Sequence, residues 1–130
     1  MRLLLDTHVW LWMALDDQRL QQPVRDALIE APNDVFVSAA SIWEMAIKFA
    51  VGKLTLPMPL PDFVAAQSAP DVAQLLSIDA EHALAVANLP THHRDPFDRM
   101  LVAQARYERM TLVTADEALR AYGVPLLWAT

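Results

Sequence analysis

Met1-Arg-Leu-Leu-Leu-Asp6-Thr7 opens the chain. Leu3, Leu4 and Leu5 form an unbroken apolar run without polar alternation, the pattern of a strand covered on both faces of a parallel sheet. An acid follows at once, so Asp6 falls where that strand ends. In open parallel α/β sheets the crevice beyond the strands' carboxyl ends is where ligands bind. Asp6 has a second reading, as the cap of a helix suggested by Val9-Trp-Leu-Trp-Met-Ala-Leu15. What separates the two is whether other acids arrive at the same edge.

A length of 130 residues suits one domain, residues 1–130, with a single continuous core. At 55% hydrophobic and 20% charged, the composition is that of a folded protein and not of a disordered one. Three leucines before Asp6 are too few for a secretory leader, and no apolar run approaches the ~18 residues of a membrane span. A cytoplasmic location is the expectation. The absence of cysteine removes disulfides, thiolate zinc sites and iron–sulfur clusters. A net charge of −6 argues against a generally basic nucleic-acid-binding face, but not against a site where metal ions cancel acids locally.

Proline does most of the punctuation, with nine prolines to two glycines. Pro23 to Ala31 reads as a helix carrying Val24, Ala27, Leu28 and Ala31 on one stripe. Val35-Phe-Val37 is a short buried strand. Ser41 to Val51 has helical spacing with Ile42, Met45 and Phe49 inward, and Gly52 stops it. Lys53 to Pro61 connects, and Asp62 to Ala69 is a short helix. Val72 to Ile78 holds a third strand around Leu75-Leu-Ser-Ile78. Asp79 to Leu89 is a helix with Asp79 as its cap, closed by Pro90. After the polar loop Thr91–Asp95, Pro96 to Arg109 is the strongest helix, with Phe97, Leu101 and Ala105 in register. Met110 to Thr114 is a fourth strand and Glu117 to Tyr122 a brief helix. Val124 to Trp128 is an edge strand tolerant of Pro125. Strands alternating with helices give an α/β three-layer sandwich around a mainly parallel sheet of four or five strands.

In such a sheet each strand feeds the next helix, so strand ends and helix starts meet at one edge. Asp6 follows the first strand and Asp116 the fourth. Glu44 lies in the first turns of the helix after the second strand, and Asp98 in the first turn of the Pro96 helix. Each also has a plain local reading. Ser41-x-x-Glu44 has capping-box spacing. Asp95-Pro96-Phe97-Asp98 looks like cap, first-turn proline and dipole-compensating acid. Asp116 suits a cap for the brief helix. Together, though, four carboxylates without an evident basic partner would repel and raise one another's pKa values, and a counter-cation removes that penalty. Oxygen-only donors favour Mg²⁺ or Mn²⁺, which orient and activate water for phosphoryl displacement.

Other chemistries fare worse. His92-His93 beside Asp95 offers a zinc or iron reading, but neighbouring loop histidines rarely converge on one metal and no third nitrogen ligand is evident. His8 and His82 read as surface or helix-end residues. Isolated glycines exclude a Walker phosphate loop, and Ser38, Ser41 and Ser77 lack a nucleophile elbow.

The run Leu3-Leu-Leu-Asp6-Thr7, then Ser38-Ala-Ala-Ser41-Ile-Trp-Glu44, then Asp95-Pro-Phe-Asp98-Arg-Met-Leu-Val-Ala-Gln-Ala105, then Leu112-Val-Thr-Ala-Asp116 resembles the PIN domain. More narrowly it resembles the VapC-like toxins of bacterial type II toxin–antitoxin modules. The similarity spans Met1 to about Trp128, and its specificity lies in four motifs in one order. The resemblance implies a PIN-like fold and a Mg²⁺-dependent ribonuclease, Mn²⁺ being an alternative, that cuts RNA and is neutralised by a cognate antitoxin. It implies Asp6, Glu44, Asp98 and Asp116 as the acidic cluster, with Asp6 and Asp98 as direct ligands and Thr7 in support. Asp95 is ambiguous: this chain has two acids where many relatives have one. The stretch Arg-Met-Leu-Val-Ala after Asp98 aligns that residue and leaves Asp95 as the helix cap.

Lys48, Lys53, Arg94 and Arg99 offer a basic rim for RNA or are plain solvated charges. Trp10 and Trp12 cannot share a helix face, so an apolar contact surface is expected. The resemblance adds a homodimer to the partners and includes no membrane. Because fold does not fix function, a non-catalytic acidic binding or regulatory module on the same fold is the alternative. A phospho-accepting receiver fits less well, since Val35-Phe-Val37 ends in Ser38 and not in an acceptor Asp.

Overall fold

The computed structural model describes residues 1–130. Five strands, β1 (Arg2–Leu5), β2 (Asp34–Ser38), β3 (Gln74–Leu76), β4 (Thr111–Thr114) and β5 (Leu126–Trp128), form one sheet in the order β3-β2-β1-β4-β5. Every pairing is parallel. The leucine run therefore sits in the middle. Leu4 lies opposite Phe36 on one side and Leu112 on the other, and Leu3, Leu4 and Leu5 have no exposed surface.

Pleating sends these leucines to opposite faces. Leu3 and Leu5 pack with Val9, Trp10, Val24, Leu28, Val37, Met45 and Phe63. Those residues come from helices α1 (Thr7–Ala14), α2 (Gln22–Ile29), α3 (Ala39–Ala50) and α4 (Leu60–Gln67), and from β2. Leu4 packs on the other face with Leu101, Val102, Ala105, Leu112 and Leu119. That layer is built from α6 (Pro96–Glu108) and a 3₁₀ segment, Glu117–Tyr122, with α5 (Ala80–Ala85) behind α6. The result is the three-layer α/β sandwich expected.

Several boundaries moved. β3 is only Gln74–Leu76, within the Val72–Ile78 stretch expected. The helix expected from Asp79 to Leu89 is α5 followed by a 3₁₀ turn over Val86–Asn88. Pro125 falls just outside β5, where its carbonyl still accepts the Leu112 N–H at 2.9 Å. Phe49, expected inward, is 41% exposed, one turn beyond the buried Met45; Trp43, Ile47 and Val51, on another side of α3, are exposed as well. His82 is at a helix start as expected, but it is buried and not on the surface. Its Nδ1 accepts the Asp79 N–H and its Nε2 lies 2.9 Å from Glu108 Oε1, so it ties α5 to the end of α6.

Leu4 fills the junction of three strands and α6, where little can collapse inward. Leu4→Ala is expected to cost ~2–5 kcal/mol. The midpoint of urea unfolding would fall with its slope unchanged.

Candidate active site

Asp6 completes β1 and begins α1. One carboxylate oxygen, Oδ1, accepts the Val9 N–H at 2.8 Å, as an N-cap does. The other, Oδ2, accepts the hydroxyl of Thr114 at the end of β4. Both sequence readings of Asp6 therefore hold: it caps α1 and it lies at the carboxyl edge of the sheet. Asp6 itself is 4% exposed. Burial pushes its carboxyl above the usual range, against the hydrogen bonds from Thr114 and Val9.

Glu44 is not part of a capping box. The cap of α3 is Ser38, whose Oγ accepts the Ala40 N–H and donates to Gln104 Oε1 at 2.6 Å. That places Ser41 and Glu44 inside the helix, facing α1. Thr7 donates its hydroxyl to Glu44 Oε1 at 2.7 Å and lies 2.9 Å from Ser41 Oγ. Lys48, one turn on, donates to Glu44 Oε2 at 2.7 Å. Glu44 is thus a buried acid with one lysine, and Thr7 is its support.

Asp95 caps α6: its Oδ1 accepts from the backbone N–H of Phe97 and of Asp98. Asp98, one turn inside, is half-buried and points toward the other acids. Burial pushes its carboxyl up to about 7, helped by the charges of Asp95, Asp6 and Glu44 and opposed by His93. Asp116 caps the 3₁₀ segment through the Ala118 N–H, and its N–H donates to Thr114 Oγ1. The structure therefore brings all four candidate acids, Asp6, Glu44, Asp98 and Asp116, to one rim of the sheet. Asp6, His8, Trp12 and Asp116 line a small cleft of about 190 Å³ there.

One member of this group escaped the sequence reading. His92 and His93 do diverge, as neighbouring loop residues should: the His92 ring lies edge-on to Tyr122. His93 turns the other way, with Nε2 3.0 Å from Asp116 Oδ2 and 3.1 Å from Asp98 Oδ2. Only its position two residues before the Asp95 cap could have suggested this. The basic rim is thinner than four cations. Lys48 is paired with Glu44, and Arg99 is tied to the carbonyls of Val86, Leu89 and Pro90. Arg94 and Lys53 are exposed.

The PIN domain family model matches residues 3–125. This chain belongs to the PIN domain family. Ribonuclease VapC22 of Mycobacterium tuberculosis is 32% identical over 122 residues, covering 94% of this chain and 92% of that protein. Two solved structures share the PIN fold at low identity. VapBC2 from Rickettsia felis, bound to a promoter DNA fragment, matches at 14% identity with TM-score 0.76, covering 100% of both chains. FitAcB from Neisseria gonorrhoeae matches at 19% with TM-score 0.66, covering 96% of both.

The donor set of this PIN domain suits a hard divalent ion. Its acids offer oxygen donors held by fixed hydrogen bonds, and burial, with the charge of neighbouring acids, raises the carboxyls of Asp6 and Asp98. Asp98 also sets the sign of a pH effect. Its folded pKa of about 7 lies well above the usual range of an aspartate, so the folded state favours the protonated acid. The stability this supplies is complete below pH ~4 and is lost as pH rises toward 7. Metal-free Asp98→Asn is therefore expected to melt about 3–10 °C above wild type at pH 7.5. The difference should close at pH 4, read by thermal unfolding in chelator.

Proposed function

We propose that the chain is a Mg²⁺-dependent ribonuclease, the toxin of a type II toxin–antitoxin module. The observation that carries this is the convergence of four acids, with Asp98 raised to about 7, at the sheet edge of a PIN domain. The likeness to Ribonuclease VapC22 supports RNA as substrate. The likeness to VapBC complexes supports a cognate antitoxin as partner.

Asp6 and Asp98 are the residues we assign as direct ligands to Mg²⁺ or Mn²⁺, with Glu44 and Asp116 completing the site. When bound, the ion supplies Lewis acidity, lowering the pKa of water and offsetting charge on the scissile phosphate. The chain's own groups supply orientation. Val9 N–H and the Thr114 hydroxyl fix both oxygens of Asp6. Thr7 and Lys48 fix Glu44, whose distance from bulk water keeps its charge effective at the site. Asp95, committed to the α6 cap, is assigned no ligand role. Arg94 and Lys53 are left to meet the RNA backbone from solvent.

For protein partners the chain offers apolar surface beside the acids. Trp43, 60% exposed, precedes Glu44 and stacks edge-on against Phe97, which precedes Asp98; their ring centroids are 5.0 Å apart. With Ala40, Ile78 and Met100 they line a groove of about 350 Å³. We assign this face to protein contact, with the antitoxin or with a second copy in a homodimer.

Purified protein is expected to cleave RNA with Mg²⁺ or Mn²⁺ and to stop in EDTA. Asp6→Asn and Asp98→Asn should each reduce the rate on the order of 10²-fold or more, since several kcal/mol of charge stabilisation would go with the ion. Gel analysis of cleaved RNA reads this. A folded wild type inert on RNA with either ion, or an Asp98→Asn variant as active as wild type, would overturn the assignment.

A further inference from the structure

His93 stands against two of the assigned ligands without an assigned task, and its ring nitrogens can be told apart. Nδ1 lies 3.2 Å from the backbone N–H of Asp95, which can only donate. Nδ1 is therefore the acceptor, and a neutral imidazole must carry its proton on Nε2. Nε2 is hydrogen-bonded to Asp116 Oδ2, beyond β4, at 3.0 Å and lies 3.1 Å from Asp98 Oδ2, on α6. One ring nitrogen thus lies against carboxylates from two different elements.

Its placement is anchored independently. The His93 N–H donates to the buried Tyr122 hydroxyl at 2.8 Å, and Tyr122 belongs to the segment Asp116 caps. Arg99, next to Asp98, holds the carbonyls of Val86, Leu89 and Pro90 on the approach to the loop, and reaches the same Tyr122 hydroxyl at 3.3 Å. The sequence His93-Arg-Asp95-Pro-Phe-Asp98-Arg99 thus carries the donor, the residue that fixes its tautomer, the candidate ligand and the clamp in seven residues.

We propose that His93 is a positioning residue: through its Nε2–H it holds Asp98 and Asp116 at the spacing a divalent ion needs, and it is not itself a ligand. An Nε2 that carries hydrogen has no lone pair for a metal, and moving the proton to Nδ1 would set it against the Asp95 N–H. Removing a partner that orients ligands in this way weakens metal binding. The inference rests on the divalent-ion reading above.

Mn²⁺ binding, followed by the loss of the free-ion electron paramagnetic resonance signal, tests it. His93→Ala is expected to weaken Mn²⁺ about 10–100-fold. His93→Gln, which can return an N–H donor to the Nε2 position, should recover most of that loss. Thermal unfolding of both variants without metal checks that the loop still folds, and His93→Gln against His93→Leu replaces the comparison if the alanine variant does not. Spin-echo spectra of Mn²⁺ on wild type should lack the coupling of a directly bound imidazole nitrogen. Undiminished binding by folded His93→Ala, no recovery by His93→Gln, or a nitrogen coupling in wild type would each overturn the role proposed for His93. In those cases Asp98→Asn would still abolish binding. Wild type that binds no Mn²⁺ would instead overturn the divalent-ion reading and this one with it.

Discussion

Carboxylates crowded at the end of a buried sheet repel one another, and the chain supplies little positive charge to relieve them. Asp6 and Glu44 are 4% and 5% exposed. Burial raises Asp6 and Asp98, and neighbouring acids raise both further. The protein tolerates this because the penalty is spread over fixed donors: Val9 N–H, the hydroxyls of Thr7 and Thr114, Lys48 and His93. Each donor engages one side of a carboxylate oxygen. An oxygen with two lone pairs keeps capacity for a second partner. The site is held open and negative by the same bonds that make it stable enough to fold.

Parallel topology makes this concentration possible. Thr7 and Asp6 leave β1 together, Ser38 ends β2, and Thr114 ends β4. All three strand ends fall at one edge because all three strands run the same way. Each residue then serves twice. Asp6, Ser38 and Asp116 cap the following helical segments and also join the polar layer at that edge. Capping and site building use the same physics, a carboxylate or hydroxyl oxygen near the positive end of a helix. That is why the cap reading and the site reading of Asp6 were never exclusive.

The same doubling limited what could be read from the sequence. The buried runs Leu3–Leu5, Val35–Val37 and Leu112–Val113 declared their strands, since nothing but a two-sided core explains them. The start of α3 was misjudged because Ser41 and Glu44 have the spacing of a capping box. Ser38, three residues earlier, captures the cap because β2 delivers it there, and only the sheet reveals that. Phe49 shares the helical stripe of the buried Met45, but the period cannot say where along the helix that stripe leaves the core. His93 was invisible for a different reason: a loop has no period, and its direction is decided by Tyr122, 29 residues away in the chain.

The two acids of Asp95-Pro-Phe-Asp98 illustrate how one turn of helix separates roles. Asp95 spends Oδ1 on two backbone N–H groups, which fixes the start of α6 and turns Asp98 toward the other acids. Its remaining charge then acts on Asp98 from behind, and after burial it is the largest contribution raising that group. The cap therefore both aims the site acid and increases its need for a cation. With Lys48 held by Glu44 and Arg99 held by backbone carbonyls, the polypeptide has few cations left to answer that need. In a chain of net charge −6, this rim gathers four acids around few free cations. A small ion of high charge density is the kind of partner that offsets such a concentration of acids.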